Sequence, residues 1–336
     1  MDLKTLTEIN APSGHEQAIR RFLLDELKKL GFAPVLDRMG NVVVVKEGTG
    51  DAPRKRVMVS AHMDEVGLIV TSATEDGYLR IAAAGGIDPR VLVSKRVTVG
   101  EDKLPGVIGA VPIHLQSAAE RKHVLSMDEL LVDIGAKDKD EAERKAPMGT
   151  YISFDTPYVE YGDGFACGKA FDDRVGCLSL LRLLQEELPV DLVACFVSEE
   201  EVGCRGAKGA AFQQEPDVGI VLEGTTCNDL GDVPETAHVC EAGQGVAVSF
   251  MDGASIANRA LFRKALDVAK QENIPHQVKH SVSGGNDGGA IQRAREGVPV
   301  VVLSVPCRYI HSPSSVVKLS DVESQFALVK ALVKAL

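Results

Sequence analysis

The spacing of apolar and polar residues divides the chain into two kinds of sequence. Towards both ends, apolar runs typical of buried strands alternate with segments of helical period, such as AIRRFLLDELKKL and DVESQFALVKALVKAL. Alternating strands and helices predict a mainly parallel sheet that is covered by helices on both faces. We therefore expect an α/β fold that is built from the two ends of the chain.

Residues 68–163 follow a different pattern. Short alternating strands, including LIVTSA, YLRIAAA and KRVTVG, are separated by Gly, Pro and Asp turns, and DKDEAERKA is the one helical candidate. This pattern is typical of a small β-barrel or sandwich. We predict that residues 68–163 form a β domain inserted into an α/β domain of residues 1–67 and 164–336.

The N-terminal segment has signals for the start and end of a helix. Residues 3–31 are helical in pattern, and Ser13 and Glu16 have the S-x-x-E spacing of a capping box. Gly31 is well placed to end the helix.

Composition narrows the class of protein. The 336 residues are 45% hydrophobic and 25% charged, which is ordinary globular usage, and the absence of Trp predicts an aliphatic core. A net charge of −11 argues against a nucleic-acid partner, which requires clustered Lys and Arg. No apolar run approaches the ~18 residues of a membrane span, and the first residues lack the pattern of a signal peptide.

The cysteines indicate a reducing compartment. Seven are present, without a C-x-x-C pair, and several lie inside apolar patterns. An odd number without framework spacing predicts reduced, buried thiols in a cytoplasmic protein.

Four apolar strands end in side chains that can bind a metal ion. These side chains are His62 with Asp64, Glu200 with Glu201, Glu223, and His311. In an open α/β sheet, ligands bind beyond the carboxyl ends of the strands. The sequence therefore predicts a metal-dependent active site at this edge.

Each candidate also has a simpler explanation when it is considered alone. His62 and Asp64 could form a structural pair at a strand end, and an Asp in FDDRVG could cap a helix. Three adjacent glutamates are commonly a solvated surface, although carboxylates at the end of a buried strand repel one another unless cations are near.

Together the candidates match a two-metal site. Two divalent ions ~3.5–4 Å apart can share a bridging carboxylate and activate water. We assign Asp172 to the bridge, His62, Glu201, Glu223 and His311 to the remaining metal ligands, Asp64 to the orientation of His62, and Glu200 to the general base. Asp173 is left to capping or support. Imidazole and carboxylate donors suit Zn²⁺ first, with Co²⁺ or Mn²⁺ as alternatives.

Motifs along the whole chain, in order, resemble those of the tetrahedral (TET) aminopeptidases, a family of cytosolic dinuclear metallo-exopeptidases that includes glutamyl and deblocking aminopeptidases. They are APSGHE, AHMDEVG, LLVDIGA, FDDRVG, EEVG-x-RGA, GGNDGGAI and RYIHSP. The resemblance implies a zinc-exopeptidase-like fold and hydrolysis of peptides with a free N-terminus. It places one metal on His62, Asp172 and Glu223 and the other on Asp172, Glu201 and His311.

The resemblance also implies that the inserted β domain mediates dimer contacts and that dimers assemble into a tetrahedral dodecamer. Three positions depart from the family pattern. Glu199 stands where Gln is common, Glu223 where many members have Asp, and Gln244 where Lys is frequent.

Three alternatives remain open at this point. The same two-metal core could remove acyl groups or C-terminal residues. Paired glutamates could hydrolyse glycosides, a reaction of the two-carboxylate type that needs no metal. A non-catalytic assembly protein could keep the fold alone.

Overall fold

A computed structural model describes residues 2–336 and contains one 11-stranded sheet and one closed six-stranded barrel. This arrangement confirms the expected fold class. The helices are α1 Leu3–Thr7, α2 Gln17–Lys29, α3 Lys139–Lys145, α4 Phe171–Leu183, α5 Arg205–Gln214, α6 Arg259–Gln271, α7 Asp287–Gln292 and α8 Leu319–Lys334. The strands are β1 Val35–Leu36, β2 Val42–Lys46, β3 Arg56–His62, β4 Gly67–Ala73, β5 Leu79–Ala84, β6 Arg96–Val99, β7 Leu104–Gly109, β8 Leu131–Asp133, β9 Tyr151–Phe154, β10 Val159–Tyr161, β11 Phe165–Gly168, β12 Asp191–Val197, β13 Val218–Thr226, β14 Val246–Ser249, β15 His276–Val278, β16 Val300–Arg308 and β17 Ser315–Lys318.

The large sheet is parallel at its centre and antiparallel towards its edges. Its strand order is β1-β2-β12-β3-β13-β16-β17-β11-β10, and the four strands β12, β3, β13 and β16 run parallel to one another. The carboxyl ends of these four strands therefore meet at a single edge of the sheet.

Helices cover both faces of the central strands. Along β12, Leu192, Ala194 and Phe196 join a core that includes residues of α2, α4 and α8, whereas Val193 and Cys195 face residues of α5 and α7. Strands that are buried on both faces have continuous apolar sequences, because neither face is exposed to water. For this reason the apolar runs were sufficient to predict these strands.

The barrel has a core of its own. Its strand order is β4-β5-β8-β7-β6-β9, all neighbouring strands are antiparallel, and apolar residues such as Leu68, Ile108 and Ile152 fill its interior. The barrel strands end at Phe154, and β10 pairs with β11 in the large sheet. The predicted domain boundary at residue 163 therefore lies beyond the last barrel strand. The sequence did not show where the barrel strands end, because the three residues of β10 are exposed and have no apolar pattern that indicates which sheet they join.

The N-terminal segment differs from the prediction of a helix over residues 3–31. It forms α1 and α2 with a non-helical stretch between them, and the predicted capping box is absent. Glu16 is the N-cap and makes no side-chain cap bond, while the Ser13 hydroxyl donates to Asp64. The Ser13 hydroxyl is thus held by the charged carboxylate of Asp64, and Ser13 lies three residues before the N-cap, outside the first turn of α2. Gly31, with φ +86°, follows the end of α2 as predicted.

Two further observations concern the predicted environment of the protein. Among residues 2–336, no helix has the length and apolar character that crossing a membrane requires. All seven cysteines are free thiols, and five of them are buried, in agreement with the prediction of reduced, buried thiols.

Candidate active site

The carboxyl ends of the central strands bring the predicted site residues together around one cavity. This cavity has a volume of about 310 Å³, and its walls include Asp172, Glu200, Glu223 and His311. The other three predicted residues do not line the cavity but contact the residues that do, directly or through one another. They are His62, Asp64 and Glu201.

Asp172 lies between the two histidines. Its Oδ1 is 3.2 Å from His62 Nε2, and its Oδ2 is 3.4 Å from His311 Nε2. One carboxylate therefore presents a different oxygen to each imidazole, which is the arrangement that a carboxylate bridging two cations requires.

A further carboxylate accompanies each histidine. Glu223 Oε2 is 3.6 Å from His62 Nε2, and Glu201 Oε2 is 3.2 Å from His311 Nε2. Within residues 2–336, the buried Glu223 Oε1 has no hydrogen-bond partner. A buried carboxylate oxygen without a partner is costly unless a cation is bound. Two imidazoles and three carboxylates thus provide a donor set that fits a pair of divalent ions.

Asp173 is another possible metal ligand, but both of its carboxylate oxygens already accept hydrogen bonds. Ligand atoms of His62, Asp173 and Glu223 lie within 4.8 Å of one another. However, Asp173 Oδ1 accepts the Gly176 N–H at 3.0 Å, and Oδ2 accepts the His62 N–H at 3.1 Å. These bonds fix the start of α4 against the end of β3, which leaves Asp172 as the better ligand.

Asp64 connects His62 with the glutamate segment. Its backbone carbonyl lies 3.2 Å from His62 Nδ1, and its carboxylate accepts the Ser13 hydroxyl at 2.7 Å and the N–H groups of Glu200 and Glu201 at 3.1 and 3.2 Å. Burial acts to raise the pKa of Asp64, but hydrogen bonds from His62, Ser13 and Glu200 outweigh it and hold the pKa below its usual value. The ionised carboxylate orients the imidazole and the two glutamates together.

The run Glu199–Glu201 is not a solvated surface. The Glu201 side chain is 2% exposed, and Glu200 lines the cavity, whereas Glu199 pairs with Arg205 at 3.2 Å. Burial, with added repulsion from nearby carboxylates, raises the pKa of Glu200 to about 7. The charge of Glu199, one of the departures from the family pattern, is thus offset by Arg205.

The barrel also contributes to the site. His311 Nδ1 contacts the carbonyl of Gly86, in the loop after β5, at 3.0 Å. A Cβ at Gly86 would lie 3.4 Å from His311 Nδ1, which is an ordinary van der Waals distance, so the contact depends on the backbone carbonyl and not on the absence of a side chain. Sequence reasoning missed both Gly86 and Ser13. The motif APSGHE held a signal for Ser13, but its spacing favoured a helix cap.

Comparisons with known proteins find relatives along nearly the whole chain. The family model described as M42 glutamyl aminopeptidase matches residues 40–328. The lysyl aminopeptidase of Pyrococcus furiosus is 33% identical over 99% of this chain and 96% of its own length. The glutamyl aminopeptidase of Lactococcus lactis subsp. cremoris is 32% identical over 99% of this chain and 95% of its own.

Solved structures share the whole fold. A TET aminopeptidase from a marine sediment archaeon of the Thaumarchaeota has a TM-score of 0.94 and 33% identity, covering 99% of this chain and 95% of that one. The TET1 peptidase of Pyrococcus horikoshii, described as assembling into a tetrahedron or a large octahedral shell, has a TM-score of 0.87 and 33% identity over 99% and 98%. A Thermotoga maritima structure described as an endoglucanase has a TM-score of 0.82 and 34% identity over 100% and 97%.

These findings confirm the resemblance to the TET aminopeptidases and favour peptide hydrolysis over the alternatives. Since the family model covers most of the chain and the relatives align over nearly their whole length, this chain is a metal-dependent aminopeptidase that belongs to the M42 glutamyl aminopeptidase family.

Proposed function

We propose that the chain removes the N-terminal residue of peptides with a free α-amino group, with two divalent cations per chain. His62, Asp172 and Glu223 would hold one cation, and Asp172, Glu201 and His311 the other. The observation that supports this assignment is the position of Asp172, whose two oxygens face different histidines at 3.2 and 3.4 Å. Zn²⁺ suits these donors first, with Co²⁺ and Mn²⁺ as alternatives.

The residues around the cations have separate tasks. When bound, the cations would polarise the scissile carbonyl and lower the pKa of the attacking water. Glu200 lies in the cavity outside both ligand sets, accepts the proton of that water and delivers it to the leaving amine. Asp64 holds His62 in one orientation through its contacts with Nδ1. Its bonds to the N–H groups of Glu200 and Glu201 fix the base relative to the ligands.

The role of Glu200 can be tested by substitution. Glu200→Gln keeps the shape of the side chain but removes the proton acceptor, so turnover of aminoacyl-p-nitroanilides should fall at least ~100-fold. Metal content, measured on the same samples, should not change. Glu199→Gln is the matched control and should keep most activity, because Glu199 pairs with Arg205. Normal turnover by Glu200→Gln would overturn the assignment of the base.

The other reactions predict different substrates or requirements. A deacylase would prefer N-acetylated peptides to peptides with a free amine, so a matched pair of such substrates separates the two activities. A two-carboxylate glycosidase would act after complete chelation. That reaction leaves His62, Asp172 and His311 without a role, although one related structure is described as an endoglucanase. A non-catalytic protein would contain well under one metal ion per chain after gentle purification.

We also propose that residues 68–163 act as an inserted domain through which subunits associate, and that dimers build a tetrahedral dodecamer. Related structures are described as a dodecamer and as a peptidase that can assemble into a tetrahedron. Three apolar side chains after β7 support this assignment, since Val111, Ile113 and Leu115 are 61%, 68% and 70% exposed. Ile113→Asp should shift the mass measured by light scattering towards smaller species. The buried free thiols support a location in the reducing cytoplasm.

A further inference from the structure

Glu200 belongs to a second group of potential metal ligands. Ligand atoms of Glu200, Cys204 and Asp287 all lie within 4.8 Å of one another. The Cys204 thiol donates to Glu200 Oε1 at a sulfur–oxygen distance of 3.3 Å. Neither Cys204 nor Asp287 belongs to the two ligand sets proposed above.

Asp287 provides an independent indication that this group binds something. The residue is 0% exposed, and within residues 2–336 neither of its carboxylate oxygens has a hydrogen-bond partner. A buried carboxylate is normally paired with a cation or bound by hydrogen-bond donors. Both oxygens of Asp287 lack that compensation, in a group that also offers a thiol and a second carboxylate.

We propose that Glu200, Cys204 and Asp287 form a third metal site, which takes a thiolate-binding cation such as Zn²⁺ or Cd²⁺. Zinc binds thiolate at ~2.3 Å and carboxylate at ~2.0–2.2 Å in tetrahedral sites, so neighbouring donors lie about 3.5 Å apart. The distance of 3.3 Å between Glu200 Oε1 and Cys204 Sγ fits that spacing. Binding replaces the thiol proton, which is released to solvent.

Occupation of this site inhibits the enzyme. A cation on Glu200 removes the carboxylate that must accept a proton, so activity rises as the catalytic pair fills and falls at higher Zn²⁺. The thiol makes the site selective, because thiolate ligands favour Zn²⁺ and softer ions, while Mg²⁺ and Ca²⁺ prefer oxygen. Cys204 occupies the variable position of EEVG-x-RGA, so the inhibitory site depends on a residue that the motif leaves free. Cation binding at this third site depends on the three side chains alone, whereas the inhibition of peptide hydrolysis also rests on the proposed role of Glu200 as the general base.

The test titrates Cd²⁺ into the Zn²⁺-loaded enzyme and follows two signals. Thiolate–cadmium charge-transfer absorption in the ultraviolet reports on sulfur coordination, and hydrolysis of an aminoacyl-p-nitroanilide reports on inhibition. The variants are Cys204→Ser, Asp287→Asn and, as the matched control, Cys167→Ser, which changes the other partly exposed cysteine. Mg²⁺ at the same concentrations is the control ion.

The absorption and the loss of activity should develop together in the unaltered protein and in Cys167→Ser. Cys204→Ser should lack the absorption and need at least ~10-fold more Cd²⁺ for half-inhibition, because loss of a supporting partner alone costs that much affinity. Asp287→Asn should weaken both signals. Equal absorption or equal inhibition in Cys204→Ser would overturn the proposal, as would absorption in the unaltered protein without loss of activity.

Discussion

Single residues determine how the site is held in place, and Asp64 does so through several bonds. Its carboxylate accepts the Ser13 hydroxyl and two backbone N–H groups, and it also faces His62 Nδ1. The pair of His62 and Asp64 could be predicted because residues two apart in a strand share a face. The hydrogen bond from Ser13 to Asp64 could not be predicted, because Ser is also a favoured helix cap. Only the folded structure shows which of these two roles Ser13 has.

We expect Asp64→Asn to lower metal affinity or kcat/KM by about 10–100-fold, the usual cost of losing the partner of a metal-binding histidine. Ser13→Ala removes one bond to Asp64 and should change the same quantities in the same direction by a smaller factor. Ser117→Ala, at an exposed position outside the site, is the control. A normal metal affinity and kcat/KM in Asp64→Asn would show that His62 does not need this carboxylate.

At the scale of elements, α8 fixes two of the strands that carry the proposed metal ligands. The Gln325 side chain is fully buried, and its Nε2 donates to the carbonyls of Glu223 at 3.1 Å and Leu303 at 2.9 Å. Its Oε1 accepts the Ser179 hydroxyl at 2.9 Å. One amide therefore connects α8, α4 and the neighbouring strands β13 and β16.

Gln325→Ala should reduce the free energy of unfolding by ~1–3 kcal/mol, because it leaves buried carbonyl and hydroxyl groups without partners. Gln271→Ala, at the exposed end of α6, should change the same quantity by less than ~0.5 kcal/mol. Denaturant titration of both variants measures the difference. Equal stability of the two variants would contradict the anchoring role of Gln325.

The elements differ in how well sequence predicts them. The strands β12, β13 and β16 follow from their apolar runs, because burial on both faces leaves an unambiguous pattern. The break between α1 and α2 was not predicted, although the segment between them contains Pro12 and Gly14, which disfavour a helix interior. This segment bonds instead to the residues that directly follow β3. Ala11 N, for example, donates to Glu65 Oε1 at 2.8 Å.

For the whole molecule, we expect metal binding and stability to be coupled. Asp172 and Glu223 line one small cavity, and Glu201 lies against His311 in its wall. Like charges so close together repel unless cations are present. The sequence predicted this convergence because parallel strands bring their carboxyl ends to one edge. It did not predict the carbonyl of Gly86 behind His311, because that contact depends on how the barrel packs against the sheet.

Removal of divalent cations with a chelator should abolish peptidase activity and lower thermal stability. A cation maintained at ~100 times its Kd stabilises the folded state by about 2.7 kcal/mol, and this contribution is lost on chelation. Readdition of Zn²⁺ should restore both properties, and the melting temperature with and without metal is the measurement. Unchanged melting on chelation would show that the cations contribute nothing to folding.

The contact of His311 with Gly86 and the bond from Gln325 to the carbonyl of Glu223 have a consequence for the order of folding. Each of these proposed ligands is held by a segment that is remote in sequence, since 225 residues separate Gly86 from His311 and 102 separate Glu223 from Gln325. The two side chains therefore reach their final positions only after the barrel, the large sheet and α8 have packed together. A partly folded chain should accordingly bind divalent cations weakly at this edge of the sheet.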